Sequence, residues 1–484
     1  MKINLKDSKN LSMMVDFHEL ATAAGYFSTG KADTIAYFDL FFRTVPDAGG
    51  FVIAAGLEQL MDYLQNLAFS SEDLDFLRGK GFKEDFLAYL ENFKFSCDVW
   101  AVPEGTPVFP GEPILIVRGP IIQAQLLETM ALMLINHQTL IATKANRIAR
   151  AAQGRAVFEF GARRAYGADA AFYGARASYI GGVSASSLAL ADMALGIEAV
   201  TTMTHSWVEM FDSELEAFCA FAREFPEDCS LLVDTYNTLK SGLPNAIEAF
   251  NRELTPKGYR PKSIRLDSGD IAYLSRKARK ILDEAGYPDC EIVASNSLDE
   301  YLIRDMINQG AKIDAFAVGE RLITSASSPI LGGVYKLSAV EKDGQIIPKI
   351  KITGNVTKIT TPCVKRAYRL IDKDTGKAIA DLVCLADEQI DENEPYELFD
   401  PDYTWKRKTV ENFIARPLLQ EIFKEGKLVY RLPSLDEIRD YCTREIDSLW
   451  EEVLRFENPH KYYVDLSQAL WDKKQETIAQ HRKL

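Results

Sequence analysis

Six places in the chain gather residue types that bind anions, carry protons or stabilise charge: Gly161-Ala-Arg-Arg164, Thr204-His205-Ser206, Asp234-Thr-Tyr236, Asp267-Ser-Gly-Asp270, Ser295-Asn296 and Gly319-Glu320-Arg321. Paired arginines offer planar forks to carboxylates or phosphates. A neutral histidine is nucleophilic near neutral pH. Acid-led loops can stabilise a developing cation or hold a divalent metal. Gly319, after Val318, offers a backbone that a phosphate can approach, with helix N-terminal amides behind it. Some of these polar residues serve helix capping: Asp270 before Ile271, and Ser297 with Glu300 three residues on, fit N-caps. Capping does not account for an arginine pair, a histidine and two acid-led loops at equivalent positions. Together they point to one shared active site.

The elements that position these groups follow from the runs before them. Ala156–Phe160, Ala199–Met203, Ser230–Val233, Ser263–Leu266, Glu291–Ala294 and Ala315–Val318 are short and apolar, and each ends at one of the six places. Helical stretches separate the runs at intervals of about thirty residues, as βα units require. The class is α/β, with a parallel sheet or α/β barrel whose carboxyl ends carry the ligand site. Upstream, residues 57 to 93 read as short helices, with Leu57, Leu60, Met61 and Leu64 at helical spacing. Asp98 to Pro120 reads as strands in a small sheet, and Pro120 as the start of a long helix to about Ala152. After about residue 340 the rhythm stops. Residues 341 to 390 read as antiparallel strands, turning at Lys342-Asp343-Gly344 and Asp372 to Gly376, and Ser434 to Phe456 as a helical tail.

Composition narrows the function classes. The 484 residues are 47% hydrophobic and 26% charged, which excludes wholesale disorder. A net charge of −14 makes nucleic acid or an anionic membrane a poor partner, while one basic pocket suffices for a small anion. No stretch approaches the ~18 apolar residues of a membrane span, and Met1 to Asn10 lacks the apolar core of a secretory signal. Seven scattered cysteines, none in a C-x-x-C pair, fit reduced thiols in a cytoplasmic protein and no structural zinc site. His137 reads as a structural helix residue, and His460 and His481 as solvent-facing, which singles out His205. Gly25 to Ala32 nearly matches a phosphate-binding loop, but Ala32 replaces the metal-holding hydroxyl and no strand precedes it.

Five motifs in order carry a family resemblance: Phe158 to Gly182 (FEFGARRAYGADAAFYGARASYIGG), Thr202-Met-Thr-His-Ser-Trp207, Leu232-Val-Asp-Thr-Tyr236, Arg265-Leu-Asp-Ser-Gly-Asp270 and Gly332-Gly-Val-Tyr-Lys336. The chain resembles nicotinate phosphoribosyltransferases from Asp16 to the tail. The resemblance implies an irregular α/β barrel of the type II phosphoribosyltransferase kind, with a small α+β sandwich domain and a C-terminal extension. The corresponding divisions are 1–125, an N-terminal sandwich with helices; 126–340, the catalytic barrel; and 341–484, strands and tail that partly complete both. It also implies a homodimer, Mg²⁺, and ATP as co-substrate. The reaction would join nicotinate to the ribose of phosphoribosyl pyrophosphate, giving nicotinate mononucleotide and pyrophosphate for NAD biosynthesis. In that frame His205 is the phosphohistidine and Thr202 a nicotinate contact. Phe160 stacks on the pyridine and Arg163 approaches its carboxylate. Arg265, Asp267 and Ser268 belong to the ribose and substrate-binding loop, and Asp234 lies near pyrophosphate and metal. Asn296, Gly319 and Glu320 complete the substrate contacts, with Gly319 at the 5′-phosphate. The implied catalytic set is His205, Asp234 and Asp267.

Some positions depart from the family pattern. His18 stands where a tyrosine usually stacks on the base from the neighbouring subunit. Glu320 replaces a threonine at the phosphate site. A carboxylate facing phosphate is repulsive, so Glu320 either turns away or pairs with Arg321. Thr201 replaces a glycine, and Tyr166 a glutamine. These leave the reaction type in place and loosen base specificity. Transfer to a related pyridine such as nicotinamide, and a non-catalytic nucleotide-binding paralogue, are the alternatives. Retention of His205, Arg163, Asp234, Asp267 and Gly319 favours an enzyme.

Overall fold

The computed structural model describes residues 10–354 and 358–481. The polar segment Met1 to Asn10 therefore lies outside the described residues except for Asn10, as do residues 355–357 of the expected strand region. Two compact units form, Ile141–Pro329 and Met1–Leu140 with Ile330–Leu484. Their boundaries lie at 140/141 and 329/330, where the sequence places 125/126 and 340/341.

The unit Ile141–Pro329 is built on a parallel sheet. Its strands are β1 (Ala156–Glu159), β2 (Ala185–Ser186), β3 (Ser230–Leu232), β4 (Ser263–Leu266), β5 (Glu291–Ala294) and β6 (Ala315–Val318), in spatial order β2-β1-β6-β5-β4-β3. Registers such as Val318↔Glu159 and Ala294↔Leu266 bring the strand ends level, so the loops after them open at one edge. Alternation along the strands divides the faces. Val293, Ala315 and Ala317 pack with Phe158 and Phe160 on one, and the small alanines leave room there. Leu231, Ile264, Leu266 and Ile292 belong to the larger core that includes helix residues Phe218, Ala246, Phe250, Ala278 and Leu282. Helix Ile271–Glu284 shows why these segments coil. Ile271, Ala272, Ser275, Ala278 and Leu282 recur on one buried face, and Asp270 caps the N-terminus by accepting the Tyr273 N–H at 2.9 Å.

Three local expectations fail, two of them in this unit. Ala199–Met203 forms no strand; a single parallel bridge, Ser186↔Ala199, is its ladder contact. β2, two residues long, takes the sheet position beside β1 instead. Ser297 and Glu300 do not form a capping box. Asp299 caps helix Glu300–Asn308, and Glu300 is drawn inward by Lys144 (2.8 Å) and Arg147 (2.8 Å). Two buried cations outweigh one local cap. The helix expected from Pro120 is broken, running Ile121–Gln125 and then Glu128–Ala151, because the backbone opens at Leu126 to ψ −8°.

The other unit holds a seven-stranded antiparallel sheet in the order Gln345–Pro348, Gly333–Lys342, Ile35–Phe42, Leu115–Pro120, Asp98–Ala101, Gln420–Lys424, Lys427–Leu428. Helices Leu57–Gln65, Ser71–Gly79 and Glu84–Glu91 contribute buried leucines and Phe86 to the same core. Strand pairing after residue 330 starts at Gly333, earlier than expected. Asp343 and Gly344, both at positive φ, form the expected turn. A second sheet, Phe413–Pro417, Lys365–Asp372, Ala378–Leu385 and Val464–Leu466, buries Arg369 against Asp381 at 2.7 Å. The tail helix stops at Asp447, capped at Ser434 by a box with Glu437, and a further helix, Gln468–His481, follows. Gly25 lies inside helix Phe17–Ser28 rather than after a strand, so no phosphate loop forms there.

Candidate active site

The loops after β3, β4 and β5 meet in one hydrogen-bonded network. Arg265, second-last residue of β4, is the hub, sending Nε to Ser295 Oγ (3.0 Å), Nη1 to the Met203 carbonyl (3.4 Å) and Nη2 to Asp267 Oδ1 (3.2 Å). Ser295, following β5, donates its hydroxyl to the same Asp267 oxygen. The other Asp267 oxygen lies 3.7 Å from His205 Nε2. His205 opens the short helix His205–Glu209, where Thr204 caps Trp207 N–H, and its Nδ1 meets Thr235 Oγ1 at 3.1 Å. Asp234 underlies the β4 loop, its Oδ2 accepting the Asp267 N–H (2.8 Å) and the Ser268 hydroxyl (2.6 Å). Among the described residues, its Oδ1 is buried without a hydrogen-bond partner, and so is Thr202 Oγ1. A buried carboxylate oxygen left over beside an acid-rich loop suits a hard cation.

Phe160 follows β1 and lies under the Arg265 guanidinium, 5.6 Å from ring centroid to Cζ. Its N–H is held by Val318 O at 2.7 Å, which joins the β1 and β6 loops. Arg163 stands exposed in the turn Ala162–Arg164, in no ion pair among the described residues. Gly319 caps the four-residue helix Glu320–Ile323, and a Cβ there would meet Phe160 O at 3.3 Å. Asn296 (φ 89°) and Ser297 (φ 45°) both take left-handed backbone, a strained arrangement that aims the β5 loop.

Of its two expected courses, Glu320 does not take the pairing with Arg321. It turns to Ser297, whose hydroxyl donates to Oε1 at 2.6 Å, while Arg321 pairs with Asp299 instead. The Ser297 bond, with Arg164 and Arg321 nearby, holds the Glu320 carboxyl below its usual range. His205, Asp234, Asp267, Ser268, Arg265 and Phe160 thus converge, and Gly319 and Glu320 join them through the β6 loop. His18 belongs to the other unit and is exposed there, as the second residue of helix Phe17–Ser28. Tyr166 is 82% exposed. Sequence reasoning missed Glu159, a buried carboxylate directly before Phe160. Its only signal is the Phe-Glu-Phe alternation, which reads equally well as a solvent-facing charge.

Comparison with known proteins gives a consistent picture. Residues 13–136 match the nicotinate phosphoribosyltransferase N-terminal domain, and 364–474 the C-terminal domain. A nicotinate phosphoribosyltransferase from Bacillus subtilis is 42% identical over 97% of this chain and 95% of its own. The crystal structure of the human nicotinic acid phosphoribosyltransferase superposes with a TM-score of 0.83 at 30% identity, covering 96% of this chain and 99% of that one. A nicotinate-nucleotide pyrophosphorylase from Pyrococcus furiosus superposes with a TM-score of 0.71 at 25% identity, covering 93% and 98%. The curled parallel sheet is therefore a half-barrel matching the type II phosphoribosyltransferase fold. The strand-end network, the fold and this identity over nearly the whole length place the chain in the nicotinate phosphoribosyltransferase family.

Proposed function

We propose that the protein transfers phosphoribose from phosphoribosyl pyrophosphate to nicotinate, releasing pyrophosphate and supplying NAD biosynthesis, with ATP hydrolysis coupled through phosphorylation of His205. The observation that carries this reading is the convergence of Arg265, Asp267, Asp234 and His205 around one strand-end loop, with one Asp234 oxygen unpartnered. Family membership sets the reaction class.

The pyridine nitrogen is itself the nucleophile, so no general base is needed. Phe160 offers a face to the ring, and the exposed Arg163 a fork to its carboxylate. As the glycosidic bond loosens, positive charge grows on the ribose, and the carboxylate of Asp267 is placed to stabilise it. Asp234 and Asp267 would hold Mg²⁺, which would supply positive charge against the departing pyrophosphate. The Gly319 backbone accommodates the 5′-phosphate, and Glu320, turned to Ser297, leaves that approach free. His205, steadied at Nδ1 by Thr235, takes the phosphoryl group. We also assign a homodimer in which His18 reaches the partner's base site. A cytoplasmic location fits the seven buried, unbridged cysteines, and no helix among the described residues is long and apolar enough to cross a membrane.

The test is mononucleotide formation from nicotinate or nicotinamide, each with and without ATP. Nicotinate turnover stimulated by ATP is expected. Turnover of nicotinamide alone would overturn the base assignment, and the absence of any product would overturn the enzyme reading.

A further inference from the structure

Glu159 ends β1 with its side chain fully buried, on the strand face opposite Phe158 and Phe160. One carboxylate oxygen accepts the Gly161 N–H, and the other the Ser186 hydroxyl at 2.8 Å. Ser186 Oγ in turn accepts the Leu188 N–H at 3.0 Å, and the Glu159 carbonyl accepts the Ser187 N–H at 2.8 Å. No cation pairs with Glu159 among the described residues, and burial pushes its carboxyl above the usual range. An uncompensated buried charge is costly, and a neutral glutamine would fill the same space more cheaply. What the charge gains is two strong bonds at one bend in the chain.

That bend is closed on every side. The Gly161 carbonyl accepts the Arg164 N–H at 2.7 Å, so both peptides flanking Gly161 are held and Arg163 lies within the turn they define. A Cβ at Gly161 would meet Ile323 Cβ at 2.6 Å and Gly319 O at 2.8 Å, so the turn has no room to shift toward the β6 loop. On the other side Phe160 is tied to Val318. We infer that Glu159 is the positioning residue of the base pocket. Its carboxylate, acting through the Gly161 amide and Ser186, sets the turn that presents Phe160 and Arg163 to the substrate base. This rests on the assignment of Arg163 to the nicotinate carboxylate. Glu159 touches no substrate and acts by geometry alone.

The experiment is steady-state kinetics on Glu159→Gln, Arg163→Lys and the double variant, with melting temperature as the fold control. Glu159→Gln should lower kcat/KM for nicotinate about tenfold while KM for phosphoribosyl pyrophosphate stays within about twofold. Its preference for nicotinate over nicotinamide should fall, a change that general loosening does not produce. If Glu159 acts through Arg163, the double variant should be within about twofold of the poorer single one. Multiplicative losses, or an unchanged nicotinate preference, would overturn the inference. Should Glu159→Gln fail to fold, Ser186→Ala carries the same test, with a loss of about threefold expected in the nicotinate term alone; no such loss counts against it. Wild-type turnover separates the two levels: no product from wild type ends the functional reading, whereas normal wild-type turnover with additive variants ends only this one.

Discussion

Two arginine–carboxylate clusters, one in each unit, are built from the same groups and differ in how far they open to solvent. Arg369 is fully buried and completely engaged. Its Nε and Nη2 grip Asp381 at 2.9 and 2.7 Å, Nη1 reaches Glu445 at 3.3 Å, and Nη2 also meets the Pro107 carbonyl at 2.8 Å. Tyr462 OH supplies a further bond to Asp381 at 3.1 Å. Arg265 also joins carboxylate, hydroxyl and carbonyl, but its partners face outward, with Asp267 29% and His205 41% exposed at the side chain, and Asp234 keeps an unpartnered oxygen. A closed cluster fixes a fold. An open one holds its groups in place and keeps them within reach of something that arrives later.

The open cluster should break in function before it breaks in stability. His205→Ala should abolish ATP hydrolysis and acid-labile labelling from γ-labelled ATP. Slower, ATP-independent transfer to nicotinate should survive, since the ring nitrogen needs no help from imidazole. The melting temperature should hardly move, because His205 is exposed enough to give up little packing. Labelling retained by a well-folded variant would assign the acceptor elsewhere.

The closed cluster should behave in the opposite way. Arg369→Met leaves Asp381 buried without its cation, while Glu445 keeps Arg416 at 2.6 Å, and the loss should be about 3–5 kcal/mol by urea unfolding. Activity per folded molecule should stay near that of the parent. A variant as stable as wild type, with catalysis impaired, would reverse the roles of the two clusters.

The same contrast explains what could be read without coordinates. Five of the six apolar runs became strands because burial on both faces writes a continuous hydrophobic signal, and the chemistry after them is local to each strand end. Ala199–Met203 carries that signal too, but at the end of the sheet it finds one bridging partner, and the two-residue β2 is too short to announce itself. Glu300 reads as half of a capping box from its spacing, yet Lys144 and Arg147, more than 150 residues upstream, claim it. Glu159 was hidden for the same reason. Whether a charge between two phenylalanines faces water or a neighbouring strand is decided by tertiary contacts.

A buried acid in no ion pair among the described residues, with Asp16 and His18 close by, gives the smallest effect. Glu19, 1% exposed, accepts the Thr129 hydroxyl at 2.8 Å through one oxygen and leaves the other unpartnered among the described residues. Burial pushes its carboxyl up from 4.5 to about 7, opposed by the Thr129 bond and reinforced by the nearby charges of Glu128 and Asp16. The folded state therefore binds this proton more tightly than the unfolded chain does. Its contribution to stability is complete below the unfolded value of 4.5, falls as pH rises, and is lost once pH passes about 7. Glutamine keeps the shape and the acceptor for Thr129 but carries no charge. Glu19→Gln should match wild type near pH 4.5 and gain on it steadily as pH rises, by about 1–3 kcal/mol at pH 8. Urea midpoints measured in parallel across that range check it. A constant offset between the two proteins would mean that Glu19 is already ionised in the fold at low pH. It would then belong with the open carboxylates of the active site rather than with buried groups held by desolvation.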